Sequence, residues 1–194
     1  MVGTLRRSAL RLEHLVENLL DAGSIEAGTF EVRAIPTSIT EILEESLVFV
    51  RSIFDSKGQR LVTEFGPGTD RVVCDPRRTG QVFANLLGNA GKYGTEGSEI
   101  TLRTESSAGF VRITVHNDGP SIPPDELARL FQRFFRSRSV RGEAGGLGLG
   151  LTICRAIVQA QGGEIGIDSA SDRGTSVHFT LPKARELAQE AGSA

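Results

Sequence analysis

The chain contains 194 residues, of which 39% are hydrophobic and 24% are charged, as in an ordinary globular protein. Its formal net charge of −2 gives no electrostatic reason to expect nucleic acid or an anionic membrane as a partner. The apolar stretches all fall short of the ~20 residues that span a bilayer, and the first residues lack the apolar segment of a signal peptide.

The first predicted element is a helix over residues 4–22. Its apolar residues repeat with the spacing of a coiled coil or helical bundle: Leu5, Ala9, Leu12, Val16 and Leu19. Because a helix this short is marginal by itself, it needs a partner, either a second copy of the chain or a helix that this sequence lacks. His14 lies between the apolar positions and is expected to face solvent.

Gly23 and Gly28 mark the expected end of this helix, and residues 27–35 are predicted to link it to a short strand. After Pro36, the sequence Ser38-Ile39-Thr40-Glu41 is a capping box that predicts a helix ending before Gly58. Two strands are predicted around the Gly66-Pro67-Gly68 turn, at 61–65 and 72–74.

The rest of the chain alternates between strands and helices. The predicted elements are a helix from Asp75-Pro76 to Tyr93-Gly94, strands at 100–104 and 111–115 around a hairpin turn, a polar loop at 117–124, a short apolar piece at 127–135, a mobile segment at 137–146, a helix at 150–161, strands at 164–169 and 175–181, and a frayed tail. This order predicts an α+β fold, in which a mixed, mostly antiparallel sheet carries helices on one face.

Four glycines fall within six residues in Gly145-Gly146-Leu147-Gly148-Leu149-Gly150, immediately before the last predicted helix. Glycine lets a backbone approach a bulky anion, and a helix N-terminus offers free N–H groups and a positive dipole end. The run fits neither of the two common glycine-rich phosphate motifs, so by itself it equally describes a flexible hinge.

Three polar residues are spaced to share one face of the helix from 76 to 93: Asn85, Asn89 and Lys92. The Asn89 amide oxygen suits Mg²⁺, and Lys92 can reach a phosphate group as a point charge. Gly88 and Gly91 each cost about 1 kcal/mol in a helix relative to alanine, which favours a functional reason for this composition over a merely polar surface.

Four stretches in this order resemble the N, G1, F and G2 boxes of the ATP-binding domain of bacterial sensor histidine kinases. They are residues 85–93, 117–123, 130–136 and 145–151, and Gly174-Thr175 resembles the final glycine box of the family. Residues 12–28 resemble the second helix of the dimerisation domain and the linker after it. The resemblance implies a Bergerat-type fold with a partial dimerisation helix at 1–24, a linker and first strand at 25–36, an ATP-binding domain at 37–183 and a tail at 184–194.

The resemblance also implies the site. Asn85 and Lys92 are the candidate catalytic residues, and Asn89 is the candidate ligand of Mg²⁺. The expected ATP-binding residues are Asn89, Lys92, Tyr93, Asn117, Gly119, Ile122, Phe134, Arg136, Gly146, Leu147, Gly148, Leu149, Gly150 and Thr175. Residues 137–145 would form a lid, and core packing explains Phe131, Phe134 and Phe135 equally well.

Two departures from the family pattern stand out. Asn117 occupies the position of the aspartate that accepts a hydrogen bond from the adenine amino group, and Ser121 replaces a glycine. Because a neutral amide accepts more weakly than a carboxylate, we expect weaker adenine binding and poorer discrimination against guanine.

The second departure is the absence of the phosphoacceptor histidine motif. His14 does not replace it, because His14 matches a position on the second dimerisation helix and the family carries its acceptor on the first.

These observations favour an ATP-binding kinase module of a two-component system, which transfers the γ-phosphoryl group to a histidine outside this chain. The expected partners are a second copy through the N-terminal helix, a histidine-bearing dimerisation domain and a response regulator, with no nucleic acid and no membrane contact, in the cytoplasm. Cys74 and Cys154 match no metal spacing and are expected to be buried thiols.

Three alternatives remain. Gyrase-, MutL- and Hsp90-like ATPases share the fold but carry a water-activating glutamate where Asn85 stands. An anti-sigma-type serine kinase is disfavoured by the coiled-coil helix and the Phe-rich box. A non-catalytic nucleotide sensor or dimerising scaffold is favoured by Asn117, Ser121 and the missing acceptor.

Overall fold

The computed structural model describes residues 16–138, 147–171 and 173–184. Some of the predictions concern residues outside these ranges. They are the predictions for residues 4–15, which include His14, for residues 139–146, which include Gly146 and most of the lid, and for the tail from residue 185 onward.

Residues 16–26 are helical, and we name them the N-terminal helix. The strands that follow are β1 (Ile35–Ser38), β2 (Arg60–Phe65), β3 (Arg71–Cys74), β4 (Glu99–Ser107), β5 (Phe110–Asn117), β6 (Ile165–Ala170) and β7 (Gly174–Pro182). The helices are α1 (Ile39–Ser56), α2 (Pro76–Tyr93), α3 (Pro124–Leu127) and α4 (Gly150–Ala160).

The main sheet has the strand order β2-β4-β5-β7-β6. β2 runs parallel to β4, and every other neighbouring pair in this sheet is antiparallel. The predicted α+β class with a mixed, mostly antiparallel sheet is confirmed.

The strands on either side of the Gly66-Pro67-Gly68 turn form as predicted, but they do not pair with each other. β2 joins the main sheet, whereas β3 pairs with β1 in a separate two-stranded sheet. Parallel strands need a long crossover between them, and the chain from β2 to β4 supplies it through α2. Residue alternation predicts a strand but does not identify its partner, so the sequence does not reveal this arrangement.

The N-terminal helix ends later than the sequence suggested. Gly23 remains helical, and the helix continues through residue 26. Gly28 then adopts a φ of +67°, which any other residue would adopt at a cost. Gly28, and not Gly23, therefore terminates the helix.

Side-chain caps fix the starts of the two longest helices. Ser38 accepts a hydrogen bond from the backbone N–H of Glu41, as the capping box predicts. Asp75 accepts one from the backbone N–H of Arg78, with Pro76 in the first turn of α2. These caps satisfy N–H groups that a helix cannot pair internally.

One hydrophobic core lies between the main sheet and the layer formed by α1, α2 and α4. Phe83 of α2 and Phe179 of β7 meet edge to face, with ring centroids 5.7 Å apart. Both cysteines are free and buried in this core, as expected. The core therefore holds α2 and α4 side by side above the sheet.

Candidate functional site

The second half of α2 presents its polar residues along one side. Asn85 and Asn89 are half-buried, and Lys92 is exposed. The Asn89 side chain forms no hydrogen bond with the part of the chain that the structure describes. The amide-bearing helix face predicted from the spacing is thus present, with one amide unengaged.

The two glycines of this helix have different surroundings. A Cβ at Gly91 would lie 2.9 Å from both Ile53 and Phe54 of α1, so only glycine permits this close packing of the two helices. A Cβ at Gly88 would lie 3.9 Å from Val50, an ordinary contact. Gly91 is therefore explained by helix packing, and its presence in α2 is not evidence for a binding function.

The N-terminus of α4 differs from those of α1 and α2. Its N-cap residue, Leu149, provides no side-chain hydrogen bond to the first turn. The first N–H groups of α4 therefore have no side-chain acceptor, and the helix dipole adds partial positive charge there. Such a terminus suits an anionic ligand.

Asn85 lies against this same terminus. Its Oδ1 atom would be 3.1 Å from a Cβ placed on Gly150, the first residue of α4. Its Nδ2 atom is buried and has no hydrogen-bond partner among the described residues. A buried donor without an acceptor costs about 1–3 kcal/mol, so this amide is suited to a ligand that supplies an acceptor.

Cys154, one turn along α4, lies beneath this contact. Burial raises the pKa of the Cys154 thiol to about 12, and the Asn85 amide, which lies near the sulfur without the geometry of a hydrogen bond to it, acts in the opposite direction. The thiol therefore stays protonated at neutral pH and serves as apolar support for α4.

The turn before α4 is shaped by Gly148. This residue has a φ of +69°, and a Cβ would approach the carbonyl carbon of Phe134 at 2.9 Å and the oxygen of Phe135 at 2.8 Å. The backbone N–H of Phe134 donates to the Gly148 carbonyl at 3.0 Å. Leu149 is buried and anchors the turn in the core, whereas Leu147 is exposed.

A second group of predicted site residues meets at the far end of α2. Asn117 ends β5 and is paired with Thr175 of β7. Gly119 lies so close to the end of α2 that a Cβ there would be 2.5 Å from the Tyr93 carbonyl oxygen. Tyr93, Asn117, Gly119 and Thr175 are thus neighbours, although they come from three parts of the sequence.

Ile122 joins this group through its backbone. Its N–H donates to Oγ of Ser169 at 3.0 Å, and Ser169 Oγ lies 2.8 Å from Oγ1 of Thr175. Asn117 is 8% exposed, and its Nδ2 donates to the Asp118 carbonyl at 3.4 Å. The side chain of Asn117 is therefore held only loosely by the protein.

The two groups lie along one helix. Asn85, beside the N-terminus of α4, and Tyr93, beside Gly119, are eight residues apart on α2, or about 12 Å. The site thus runs along α2 from an anion-compatible end to a polar, glycine-lined end.

Phe134 and Arg136 lie next to the Gly148 turn. The Phe134 backbone contacts Gly148, but its side chain is 66% exposed. Both residues line a polar cavity, together with Asp125, Glu126, Arg129, Phe135 and Arg138. Core packing accounts for Phe131, which is buried, but not for Phe134.

Glu126 is a residue that the sequence reasoning missed. Its side chain is buried, and it accepts hydrogen bonds from the backbone N–H of Arg138 at 3.1 Å and from Arg138 Nε at 2.6 Å. A hydrogen bond from Ser137, with those from Arg138, holds the pKa of this carboxyl below its usual range. Glu126 therefore fixes the chain at residues 137–138, and its only sequence signal is an acidic residue in a proline-started turn.

The contact of the N-terminal helix with the domain was also not foreseen. Asp21 forms a buried ion pair with Arg78 of α2 at 2.6 Å and accepts a hydrogen bond from Gln81 at 2.8 Å. Arg133 reaches the other end of the helix, with Nη1 2.8 Å from Glu26. The face of the helix that lies on the domain therefore combines these polar contacts with Ala22 and Ile25, which pack on the core.

Three other apolar residues of the same helix point away from the domain. Val16, Leu19 and Leu20 are 50%, 60% and 67% exposed. These are the positions, or neighbours of the positions, that the heptad-like spacing identified.

Within the described residues, no group of three or more His, Cys, Asp or Glu side chains could hold a metal ion. In the same residues, no helix has both the length and the apolar character needed to cross a bilayer. Asn89 is thus an oxygen donor that would need ligand oxygens and water to complete a Mg²⁺ site.

Comparison with protein families places residues 74–185, more than half of the chain, in the family described as histidine kinase-, DNA gyrase B-, and HSP90-like ATPase. Sensor protein GacS of Pseudomonas syringae pv. syringae is 32% identical over 198 residues, which cover 97% of this chain and 22% of GacS. Adaptive-response sensory kinase SasA of a Synechocystis strain is 32% identical over 172 residues, covering 88% of this chain and 45% of SasA. The chain thus spans less than half the length of these relatives.

Solved structures agree with this relationship. Full-length ShkA in complex with AMPPNP superposes with a TM-score of 0.79 at 28% identity, over 96% of this chain and 39% of ShkA. Histidine kinase ThkA in complex with the response regulator protein TrrA superposes with a TM-score of 0.70 at 26% identity, over 94% of this chain and 50% of the ThkA chain. With its sheet, its helix layer and the matched residues 74–185, the chain belongs to the family of histidine kinase-, DNA gyrase B- and HSP90-like ATPases and is homologous to the ATP-binding catalytic domain of sensor histidine kinases.

Proposed function

We propose that this chain binds Mg²⁺ and ATP between α2 and α4 and positions the γ-phosphoryl group for transfer to a histidine that lies outside the chain. The observation that carries the proposal is the meeting of the uncapped N-terminus of α4 with Asn85, whose buried Nδ2 has no partner among the described residues. Main-chain N–H groups and an unengaged amide at one point suit phosphate oxygens.

The other end of α2 would hold the base. Asn117 supplies an amide beside Gly119 and Thr175, and the absence of a Cβ at Gly119 lets this loop pack directly against the Tyr93 carbonyl. Tyr93 and Ile122 border the same space. The related structure of full-length ShkA in complex with AMPPNP supports a nucleotide in this fold.

The residues present also fit Mg²⁺. Asn89 lies one helical turn from Asn85, and its carbonyl oxygen is the type of donor that Mg²⁺ accepts while keeping several waters. Bound Mg²⁺ would neutralise phosphate charge, and ATP would supply the phosphoryl group. The exposed Lys92 would add a positive charge near the phosphates, in the manner of a point charge.

Asn85 would orient the nucleotide and would not activate a nucleophile as a base. An amide is a poor base, so it could not readily deprotonate water, which disfavours ATP hydrolysis. A neutral histidine attacks with the lone pair of a ring nitrogen and needs no base for that step. The P–N bond forms as the bond between the β,γ-bridging oxygen and the γ-phosphorus breaks, ADP leaves, and the imidazole later loses its N–H proton. The chain's contribution is then orientation and charge stabilisation.

The proposed partners follow from the N-terminal helix and the relatives. Val16, Leu19 and Leu20 offer an apolar strip for a second copy of the chain or for the histidine-bearing dimerisation domain. ThkA is recorded with a response regulator, and we propose the same class of partner for the full-length protein. ATP, a response regulator and two unpaired thiols all fit a cytoplasmic domain.

A second candidate function is nucleotide sensing without phosphoryl transfer. Two observations favour it: the loosely held Asn117 amide stands where the family carries a carboxylate, and Ser121 stands where it carries glycine. Both changes weaken base recognition without removing the phosphate end of the site.

The experiment that separates the two candidates is incubation of the chain with γ-labelled ATP, Mg²⁺ and a separately produced histidine-bearing dimerisation domain. Label on that domain supports the kinase, binding without transfer supports the sensor, and no ATP binding contradicts both. Asn89→Ala should abolish the Mg²⁺-dependent part of ATP binding, and Gln159→Ala, an exposed amide on α4, serves as the matched control.

A further inference from the structure

Arg133 joins the N-terminal helix to the segment beside the phosphate end of the site. Its Nη1 lies 2.8 Å from Glu26 Oε2, and its Nη2 donates to the Ala22 carbonyl at 3.0 Å. Both acceptors belong to the last turns of the helix. A cation at this position also complements the negative end of the helix dipole.

The backbone next to Arg133 holds the Gly148 turn. The N–H of Phe134 donates to the Gly148 carbonyl, and the absence of a Cβ at Gly148 lets the two backbones touch. Two residues before Arg133, the Phe131 carbonyl accepts a hydrogen bond from Thr152 Oγ1 of α4 at 3.0 Å. Arg133 therefore sits between two attachments to the start of α4.

Phe134 adopts an unusual backbone conformation for its type. Its φ is +60°, in the left-handed region that costs a bulky residue about 1–3 kcal/mol. The strain persists because hydrogen bonds on both sides of residue 134 restrain it. Phe134 follows Arg133 in the chain and donates a hydrogen bond to the Gly148 carbonyl. A shift of Arg133 would therefore also shift the Gly148 turn.

We propose that Arg133 is a positioning residue that couples the end of the N-terminal helix to the Gly148 turn, so that the docked helix favours the nucleotide-binding geometry of that turn. The path runs from Glu26 and Ala22 through Arg133 and Phe134 to Gly148. This inference rests on the proposed nucleotide site, but its first readout does not use nucleotide.

The test compares Arg133→Ala, Glu26→Ala and the double variant in the full chain. Hydrogen exchange at the Phe134 amide, which donates to Gly148, should accelerate in all three. ATP affinity should fall by about two- to fivefold in each single variant, the effect expected for a partly exposed ion pair. The double variant should lose no more than the larger single effect, because Arg133→Ala already removes the ion pair with Glu26 together with the bond to the Ala22 carbonyl.

A charge swap tests the contact directly. Glu26→Arg with Arg133→Glu should recover part of the affinity lost in Arg133→Ala, which a general loss of stability would not allow. Arg60→Ala, at the exposed ion pair with Glu99 on the sheet edge, is the matched control and should change neither readout.

Several outcomes contradict the coupling. If Glu26→Ala leaves both readouts unchanged while Arg133→Ala alters them, Arg133 acts locally and the inference is wrong. Additive losses in the double variant also overturn it, as does unchanged Phe134 exchange in every variant. Absence of ATP binding in the wild-type chain would refute the proposed function instead, and the exchange measurement would still decide the coupling.

Discussion

The residues of the site differ in how fully the protein satisfies them. Asn85 has a buried Nδ2 without a partner among the described residues, Asn89 is unengaged there, and Asn117 makes one long hydrogen bond. By contrast, the buried carboxylate of Glu126 accepts several hydrogen bonds from Arg138. Polar groups left unpaired in a folded domain are expected where a ligand completes them, and the three amides lie along the proposed nucleotide.

The base end of the site predicts a change in specificity. Replacing Asn117→Asp should raise ATP affinity by about fivefold and leave GTP affinity unchanged, because a carboxylate accepts a charge-assisted bond from the adenine amino group. Isothermal titration with both nucleotides measures this. Asn117→Leu, which keeps the branched four-atom shape of the side chain but removes its polar atoms, should weaken ATP binding. An Asp variant that binds ATP no better than wild type would contradict the assignment.

Gly148 predicts an effect on both stability and binding. Alanine there must adopt a φ near +69° and push against Phe134 and Phe135, so Gly148→Ala should destabilise the domain by about 2 kcal/mol or more and weaken ATP binding. Gly97 is the matched control, since its φ is +72° and nothing lies near its missing Cβ. Gly97→Ala should cost about 1 kcal/mol in urea unfolding without affecting ATP. Equal effects of the two variants on stability and affinity would disprove a special role for Gly148.

At the scale of elements, the helix starts show how local chemistry serves function. α1 and α2 begin with side-chain caps at Ser38 and Asp75, whereas α4 begins without one. The capped helices are structural supports with satisfied ends. Unlike α1 and α2, α4 points an uncapped N-terminus at Asn85, which is consistent with a ligand in the place of a cap.

The start of α1 predicts a pH dependence of stability. Partial burial would raise the pKa of Asp70, but hydrogen bonds from Thr40 and Ser38, with the charge of Arg71, hold the pKa below its ordinary value of 3.8. A lowered folded-state pKa contributes stability above pH ~4 that is lost as the pH falls through the folded-state pKa.

Asp70→Asn should therefore be less stable than wild type at pH 7, and the difference should narrow below pH ~4. Urea unfolding followed by circular dichroism at both pH values measures the change. Asp55→Asn, in the exposed last turn of α1, is the control and should show no such pH-dependent difference. A gap between wild type and Asp70→Asn that persists at low pH would refute the role of the Asp70 charge.

The whole molecule combines a polar internal contact with an apolar external strip on one helix. Asp21 is buried against Arg78 and Gln81, while Leu19 and Leu20 face outward. Buried polar contacts add little net stability but fix geometry, whereas an exposed apolar strip favours association with another helix. The N-terminal helix is thus suited to connect the catalytic domain with a partner.

The external strip predicts an effect on association. Leu20→Glu should abolish the concentration-dependent self-association that we propose for this chain, as measured by sedimentation velocity, because a charge would enter the apolar contact between helices. Val48→Glu, an equally exposed apolar residue on α1, should leave association unchanged. Equal loss in both variants would indicate nonspecific aggregation, and no loss in Leu20→Glu would exclude the strip as the interface.

The order of the elements could be predicted from the sequence. The capping residues Ser38 and Asp75, the alternating residues of β4 and β5 and the glycines around Gly148 act over a few neighbouring positions, so their signals survive without knowledge of the fold. The resemblance of five ordered stretches to the sensor kinase domain also predicted the candidate site residues, because in that family those stretches carry the ligand chemistry.

The pairings across the chain needed the tertiary structure. Nothing in the residues of β2 specifies its parallel partner β4, and nothing in Asp21 or Arg133 specifies the residues that they meet 57 and 107 positions away. The same limit applies to Gly91, whose packing against α1 depends on how two helices approach. The sequence by itself determined the local elements and predicted the chemical character of the candidate site, because both signals come from neighbouring residues. The structure decided strand partners, the docking of the N-terminal helix and the unsatisfied state of Asn85, because burial and long-range contacts exist only in the folded chain.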